Sequence, residues 1–108
     1  MKFFGLKTCD TCRKALKALQ AAGHSPTVVD VRADGLTAQQ IEAIVQEFPE
    51  KAINRASTTW RSLTDAEKES DPKALLAAHP TLMKRPVIQD GDMTIGWDKA
   101  VQAKWLSA

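Results

Sequence analysis

The first 31 residues contain two strand-like segments separated by one helical segment, and this order restricts the fold strongly. Residues 2–6 form a short apolar run, and residues 12–22 place apolar side chains at helical spacing until Gly23. Residues 27–31 are rich in β-branched side chains, which favour a second strand. A strand, a helix and a strand in this order predict a β-α-β unit with parallel strands. The rest of the chain must then complete an α/β sheet.

Both cysteines of the chain lie where the first strand gives way to the helix. Cys9 and Cys12 are three positions apart, close enough in such a turn to reach disulfide distance. The start of a helix offers unpaired N–H groups and a positive dipole end, both of which favour a thiolate, and Arg13 and Lys14 add positive charge. We therefore expect Cys9 to be the attacking thiolate and Cys12, further into the helix, to be the resolving thiol. This turn lies at the carboxyl end of a strand, where open α/β sheets bind their ligands.

The cysteine pair has two other interpretations. A Cys-x-x-Cys pair is half of a zinc site, but the two histidines, His24 and His79, lack the spacing of partner ligands. We therefore predict no metal site. The two cysteines are also small enough to serve only as core residues, although their position at a turn with basic neighbours favours reactive thiols.

Composition sets limits on the class of protein. A chain of 108 residues with 44% hydrophobic residues is large enough for one domain that folds without a disulfide. No apolar run approaches the ~20 residues of a membrane span, and the N-terminal segment meets charge too early for a signal peptide, so we expect a cytoplasmic protein without membrane contact. A net charge of +2, spread along the chain, does not favour nucleic-acid binding. We expect a monomer with a small or proteinaceous partner.

The middle of the chain has helical character. Thr37 begins a capping-box pattern before an amphipathic segment that ends at Pro49, and Thr64 begins a second such pattern. Asp71 and Pro72 start a third helix that ends at His79. Residues 51–63, between the first two of these helices, contain the segment 54–61 (NRASTTWR), which is polar with one aromatic residue.

The last part of the chain returns to strand character. Residues 86–89 and 93–95 flank the turn at residues 90–92, which predicts a β-hairpin. Asp98 is placed to cap a final helix in which Trp105 should be a core residue. The order β-α-β, helical block, β-β-α predicts an α/β fold with a helical insertion in mid-chain.

Three separated segments together carry a family resemblance. Residues 9–15 (CDTCRKA), residues 58–61 (TTWR), and residues 84–87 (KRPV) with Gly96-Trp97 occur in the order found in the ArsC/Spx/YffB family of thioredoxin-like proteins, which this chain resembles over its whole length. The YffB branch is the most similar. The resemblance implies a single ArsC-like domain over residues 1–108. Its thioredoxin-like core would comprise residues 1–34 and 82–108, the helical insertion residues 35–81, and Pro86 would be in the cis form facing the thiols.

The resemblance also implies a choice between activities. Arsenate reductases of this family use one cysteine, which matches Cys9, and three arginines that hold the oxyanion. One arginine matches Arg85, whereas the other two positions fall on Asn54, beside Arg55, and on Gly96. Arginine supplies a planar bidentate fork for an oxyanion and glycine supplies none, so arsenate reduction is the alternative rather than the leading interpretation.

The leading interpretation is therefore a glutathione-dependent thiol reductase, with no bound cofactor and glutathione as co-substrate. Its partners would be glutathione or another small thiol or oxyanion, and a glutaredoxin or a protein disulfide. A non-enzymatic alternative is a Spx-like regulator, in which the cysteine pair is a redox switch and the protein binds the C-terminal domain of the RNA polymerase α subunit. The predicted catalytic residues are Cys9, Cys12, Arg13 and Arg85. The predicted substrate-binding residues are Thr11, Arg55, Trp60, Arg61 and Pro86.

Overall fold

A computed structural model describes residues 1–106 and shows a four-stranded mixed sheet. The strands are β1 (Lys2–Gly5), β2 (Thr27–Asp30), β3 (Val87–Asp90) and β4 (Asp92–Ile95), arranged in the order β2-β1-β3-β4. Strands β1 and β2 are parallel, as predicted, and β3 is antiparallel to both β1 and β4. The predicted α/β class with a thioredoxin-like arrangement of β-α-β and β-β-α units is confirmed.

Helices connect and cover these strands. Within residues 1–106 they are α1 (Asp10–Ala21), α2 (Ala38–Glu47), α3 (Thr58–Arg61), α4 (Asp65–Lys68), α5 (Pro72–Ala78) and α6 (Lys99–Leu106), with a 3-10 helix at Pro80–Leu82. None of the helices in this part of the chain is long and apolar enough to cross a membrane.

The helix starts follow the capping signals of the sequence. Thr37 and Thr64 form the two predicted capping boxes, and Asp98 accepts a hydrogen bond of 2.9 Å from the N–H of Val101. Most strand and helix bounds lie within one residue of the predicted ones, and two larger differences concern α1 and α3. Helix α1 begins at Asp10, two residues earlier than expected, so that Cys9 is its N-cap residue. The short α3 was not predicted, and it forms because Ser57 caps it by accepting from the N–H of Trp60 at 3.1 Å.

The sheet separates two groups of buried side chains. Phe4 and Val87 point to the side covered by the mid-chain helices, and Phe3 and Ile88 point to the side covered by α1 and α6. This alternation follows from the two-residue period of a strand. Trp105 is 9% exposed on the second side, as predicted for a core residue, and its ring N–H donates to Thr94 Oγ1 at 2.8 Å.

A short stretch of the mid-chain segment runs beside the approach to β3. Ile53 forms an antiparallel bridge with Met83, and the N–H of Lys84 donates to the carbonyl oxygen of Ala52 at 3.0 Å. The N–H of Asn54 donates to Leu82 O at 2.7 Å. These bonds fix the backbone that leads into Arg85.

Candidate active site

Four segments meet at one edge of the sheet. Because β1 and β2 are parallel and β3 is antiparallel to β1, the ends of β1 and β2 lie beside the start of β3. The end of β4 lies at the same edge, since Ile95 pairs with Val87. This arrangement brings the loop after β1, which carries Cys9, to the edge that also contains Pro86 and Gly96.

Cys9 is held by backbone hydrogen bonds at the start of α1. Its N–H donates to Leu6 O at 3.2 Å, and its carbonyl oxygen accepts from the N–H of Arg13 at 3.0 Å. The backbone of Cys9 is extended (φ −84°, ψ 120°), as is usual for an N-cap residue. Its side chain is half-buried and contacts apolar residues on both sides of the sheet. The sulfur is thus held in a fixed position without being fully enclosed.

The surroundings of Cys9 favour its thiolate. Burial by itself would raise the pKa of this thiol, but hydrogen bonds from the backbone and thiol of Cys12, together with the hydrogen bonding and charge of Arg85, lower the pKa below its ordinary value. A lowered pKa gives a larger thiolate fraction at neutral pH, and the thiolate is the nucleophile. The predicted role of Cys9 as attacking group therefore has a physical basis.

Cys12 has the opposite environment. Its side chain is 2% exposed and lies in the apolar cluster with Phe3 and Ala15. Burial first, and then the hydrogen bonding and charge of Cys9, together raise the pKa of this thiol to about 11, against the lowering effects of a backbone hydrogen bond with Leu6 and the charge of Arg85. Both cysteines are free thiols. At neutral pH Cys12 is therefore a hydrogen-bond donor to Cys9 rather than a second thiolate.

Arg85 lies next to Cys9 and is anchored through its own guanidinium. Its Nη1 donates to the carbonyl oxygens of Thr81 at 2.6 Å and Met83 at 3.3 Å. Its Nε is buried and has no hydrogen-bond partner within residues 1–106. The Arg85–Pro86 peptide bond is cis, as the resemblance implied, and Pro86 is buried.

Arg13 contacts the loop before Cys9 and the first turn of α1, and its predicted catalytic role stays a prediction. Its exposed side chain donates from Nε to the carbonyl oxygen of Lys7 at 2.9 Å and lies 3.7 Å from the carboxylate of Asp10. This bond fixes the loop that precedes Cys9. Thr11 is exposed in the first turn of α1, close in sequence to both thiols.

Asp30, at the end of β2, holds the same loop from the other side. Its buried carboxylate accepts from the N–H groups of Arg32 at 2.9 Å, Ala33 at 3.0 Å and, across the sheet, Lys7 at 3.4 Å. The hydrogen bond from Ala33 is the largest of the causes that lower the pKa of Asp30. Sequence reasoning missed this residue, although a carboxylate directly after a β-branched run was a usable signal.

Arg55 and Trp60 form a separate cluster around α3. The guanidinium carbon of Arg55 lies 5.5 Å from the centre of the Trp60 ring, and Lys68 Nζ lies 5.8 Å from it. Trp60 also packs against the core, while Arg61 is exposed at the end of α3. The predicted substrate-binding roles of Arg55, Trp60 and Arg61 remain predictions, since their contacts here are structural. Within residues 1–106, no three His, Cys, Asp or Glu side chains are grouped to hold a metal ion.

Comparison with known proteins places the chain in a family. The model of the ArsC family matches residues 4–104. The chain belongs to the ArsC family. An ArsC-family match of this length covers both cysteines, Arg85 and Gly96 at once.

Related proteins span the whole ArsC-family domain. An uncharacterized protein of Haemophilus influenzae is 39% identical over 102 residues, covering 89% of this chain and 90% of that protein. A solved structure described as a YFFB protein is 28% identical and superposes with a TM-score of 0.90 over 98% of both chains. A solution structure of an arsenate reductase (ArsC) related protein from Brucella melitensis is 30% identical, with a TM-score of 0.73 over 99% of this chain and 94% of the other.

Proposed function

We propose that this protein is a thiol-disulfide oxidoreductase that uses Cys9 as nucleophile and glutathione as its reductant. The observation that carries the proposal is the contrast between the two thiols. Cys9 is half-exposed at a helix start with a lowered pKa, and Cys12 beside it is buried with a raised pKa. Membership of the ArsC family and the likeness to a YFFB protein and to an arsenate reductase related protein support a redox role for that thiol.

The reaction begins with attack of the Cys9 thiolate on a disulfide sulfur. A bond forms between Cys9 Sγ and one sulfur of the substrate, the substrate's S–S bond breaks, and the other sulfur leaves as a thiolate that takes a proton from solvent. The guanidinium of Arg85 stabilises the negative charge shared by the three sulfurs. Its Nε, which is buried and has no hydrogen-bond partner among residues 1–106, supports such a role, because an unused buried donor costs about 1–3 kcal/mol.

Release of the mixed disulfide on Cys9 requires a second thiol. With a glutathione mixed disulfide as substrate, the group left on Cys9 is glutathionyl, and attack by the thiolate of one further glutathione restores the Cys9 thiolate and forms glutathione disulfide. The mixed disulfide and one glutathione thus become a free substrate thiol and glutathione disulfide. The predicted alternative, attack by Cys12, requires ionisation of a buried thiol, and burial is the largest cause that raises the pKa of Cys12. We therefore assign the resolving step at neutral pH to glutathione and a hydrogen-bonding role to Cys12.

Arsenate reduction is the second candidate, because of the likeness to the arsenate reductase related protein from Brucella melitensis. It ranks lower for a chemical reason. At the positions of two oxyanion-holding arginines the chain has Asn54, whose Oδ1 accepts from the N–H of Ala56 at 3.1 Å, and Gly96, which has no side chain. Arg85 alone can form only some of the bidentate hydrogen bonds that hold a tetrahedral anion.

The test is mass spectrometry after reaction with glutathione disulfide, followed by turnover of a glutathione mixed disulfide with glutathione. We expect one adduct of glutathione on Cys9, loss of both adduct and turnover in Cys9→Ser, and retained turnover in Cys12→Ser. Absence of any adduct, or an adduct on Cys12 alone, would reject the proposal. A regulator of the Spx kind would instead co-purify with RNA polymerase and show no turnover.

A further inference from the structure

Lys84 extends its side chain over Gly96. A Cβ built on Gly96 would lie 3.5 Å from Cε and 4.0 Å from Nζ of Lys84. Both residues have anchored backbones, because Lys84 N–H donates to Ala52 O at 3.0 Å and Gly96 N–H donates to Pro86 O at 2.9 Å. The exposed side chain of Lys84 thus places its ammonium group beside Gly96, at the end of β4.

The position of that ammonium relative to Cys9 follows from the sheet. Cys9 follows β1 and Gly96 follows β4, and β3, which Arg85 and Pro86 precede, lies between them. Two strand spacings of 4.7–4.9 Å separate β1 from β4 by about 10 Å. The same end of the sheet thus carries the thiolate of Cys9, the guanidinium of Arg85 and the ammonium of Lys84, and the strands that Cys9 and Gly96 follow are about 10 Å apart.

We propose that Lys84 binds a carboxylate of the thiol substrate remote from its sulfur, and thereby selects peptide-sized acidic thiols such as glutathione over shorter thiols. The inference rests on the proposed function and adds a specificity-determining residue to it. Glutathione carries its sulfur on the central residue, and an extended chain spans about 3.3–3.6 Å per residue, so its terminal carboxylates lie one residue further from the sulfur than the carboxylate of a single cysteine does. A single amino acid bound through its sulfur at Cys9 is too short to place its carboxylate at Lys84.

The chemistry of the cation fits a carboxylate better than a tetrahedral oxyanion at the sulfur. Gly96 cannot supply a cation itself, and its φ of +81° disfavours any residue with a side chain. Lys84 supplies a flexible point charge instead of the planar fork of arginine. Such a group suits one carboxylate at the end of a flexible ligand.

The test compares Lys84→Gln, which removes the charge and keeps most of the side chain, with Lys73→Gln. Lys73 is an exposed lysine of α5, and its substitution by glutamine changes the net charge by the same amount. Each variant is assayed with glutathione, with glutathione esterified at both carboxylates, and with cysteine. Because an exposed ion pair contributes little, we expect Lys84→Gln to raise the KM for glutathione about two- to fivefold, with kcat little changed. The KM values for the diester and for cysteine should not rise.

The outcomes separate this inference from the proposed function. If the wild-type protein is active and Lys84→Gln and Lys73→Gln have equal KM values for glutathione, the role of Lys84 is overturned and the proposed function is not affected. An equal rise in KM for glutathione and its diester would also overturn it, because the effect would not depend on the carboxylates. If the wild-type protein formed no glutathione adduct, the proposed function would fail and this inference with it. Rescue by Lys84→Arg, which restores the charge, would support it.

Discussion

The sulfur of Cys12 occupies the space that Gly5 leaves open in β1. A Cβ added at Gly5 would lie 2.9 Å from Cys12 Sγ, and equally 2.9 Å from the ring of Phe3. Real Cβ atoms do not approach other heavy atoms this closely, so the missing side chain of Gly5 determines how deeply Cys12 is buried. Because Cys12 donates to Cys9, this packing contact also affects the reactive thiol.

The first prediction concerns this contact. We expect Gly5→Ala to destabilise the protein by about 1–3 kcal/mol, the usual cost of overpacking a core, as measured by chemical denaturation. In a Cys12→Ala background the cost should be smaller, since one of the two close atoms is gone. Equal costs in the two backgrounds would show that the contact with Cys12 does not limit the space at Gly5.

The second prediction concerns the pH dependence of alkylation by iodoacetamide. The lowered pKa of Cys9 means that its thiolate forms below the ordinary thiol pKa, whereas Cys12 ionises only at about pH 11. Cys12→Ser should therefore react quickly near neutral pH, and Cys9→Ser should stay slow until strongly alkaline pH. The reverse pattern would exchange the roles of attacker and hydrogen-bond donor. Urea-unfolded samples of both variants, which should react alike, are the control.

The third prediction concerns Arg85. Arg85→Ala should raise the pKa of Cys9, because the guanidinium lowers it, and should weaken glutathione binding about tenfold or more through loss of a charge-assisted hydrogen bond. The variant should also lose about 1 kcal/mol of stability, since the carbonyl oxygens of Thr81 and Met83 lose their donor. Arg85→Lys keeps the charge and should retain most of the effect on the pKa. Titration by NMR measures binding. Equal affinities of wild type and Arg85→Ala for glutathione would show that glutathione does not bind beside Arg85.

The fourth prediction concerns the carboxylate that holds the loop before Cys9. The hydrogen bonds that Asp30 accepts lower its pKa in the folded protein. Its stabilising effect is therefore fully present above the unfolded pKa of about 3.9 and is lost as the pH falls through the lower folded pKa. We expect the Tm of Asp30→Asn to lie below that of wild type at neutral pH, and the gap to narrow in strong acid. A difference in Tm that does not change with pH would contradict a role for the charge of Asp30. Asp90→Asn in the exposed hairpin is the control.

The sequence predicts the elements of this fold well because their signals are local. The β-α-β order, the hairpin and the capping boxes at Thr37 and Thr64 each depend on residues within about one turn or one strand of each other. The unpredicted α3 also has a local cause, the hydroxyl of Ser57, but its four residues are too few for a periodic pattern.

The candidate site was predictable only in part, because its contacts join distant parts of the chain. Cys9 and Arg85 were identified from motifs, whereas the carboxylate of Asp30 reaches Lys7 across 23 positions. The placement of Lys84 over Gly96 depends on how β3 and β4 pair, which no local pattern specifies. Burial is also a tertiary property, so the difference in pKa between two cysteines three residues apart required the folded structure.

The last prediction concerns arsenate and the position of Gly96. We expect the unmodified protein to reduce arsenate poorly with glutathione and glutaredoxin, as followed by coupled oxidation of NADPH. Gly96→Arg alone should restore little activity, because the guanidinium at position 54 is still missing and because a φ of +81° costs a residue with a side chain about 1–2 kcal/mol.

Position 84 is better suited to place a guanidinium near Gly96, since the side chain of Lys84 already lies over Gly96 without backbone strain. Lys84→Arg combined with Asn54→Arg should therefore raise arsenate turnover above that of Gly96→Arg combined with Asn54→Arg, with a higher Tm as well. Robust turnover by the unmodified protein would refute the claim that the missing arginines limit arsenate reduction. Greater rescue by Gly96→Arg than by Lys84→Arg would show that the cation must come from β4 and not from the residue before Arg85.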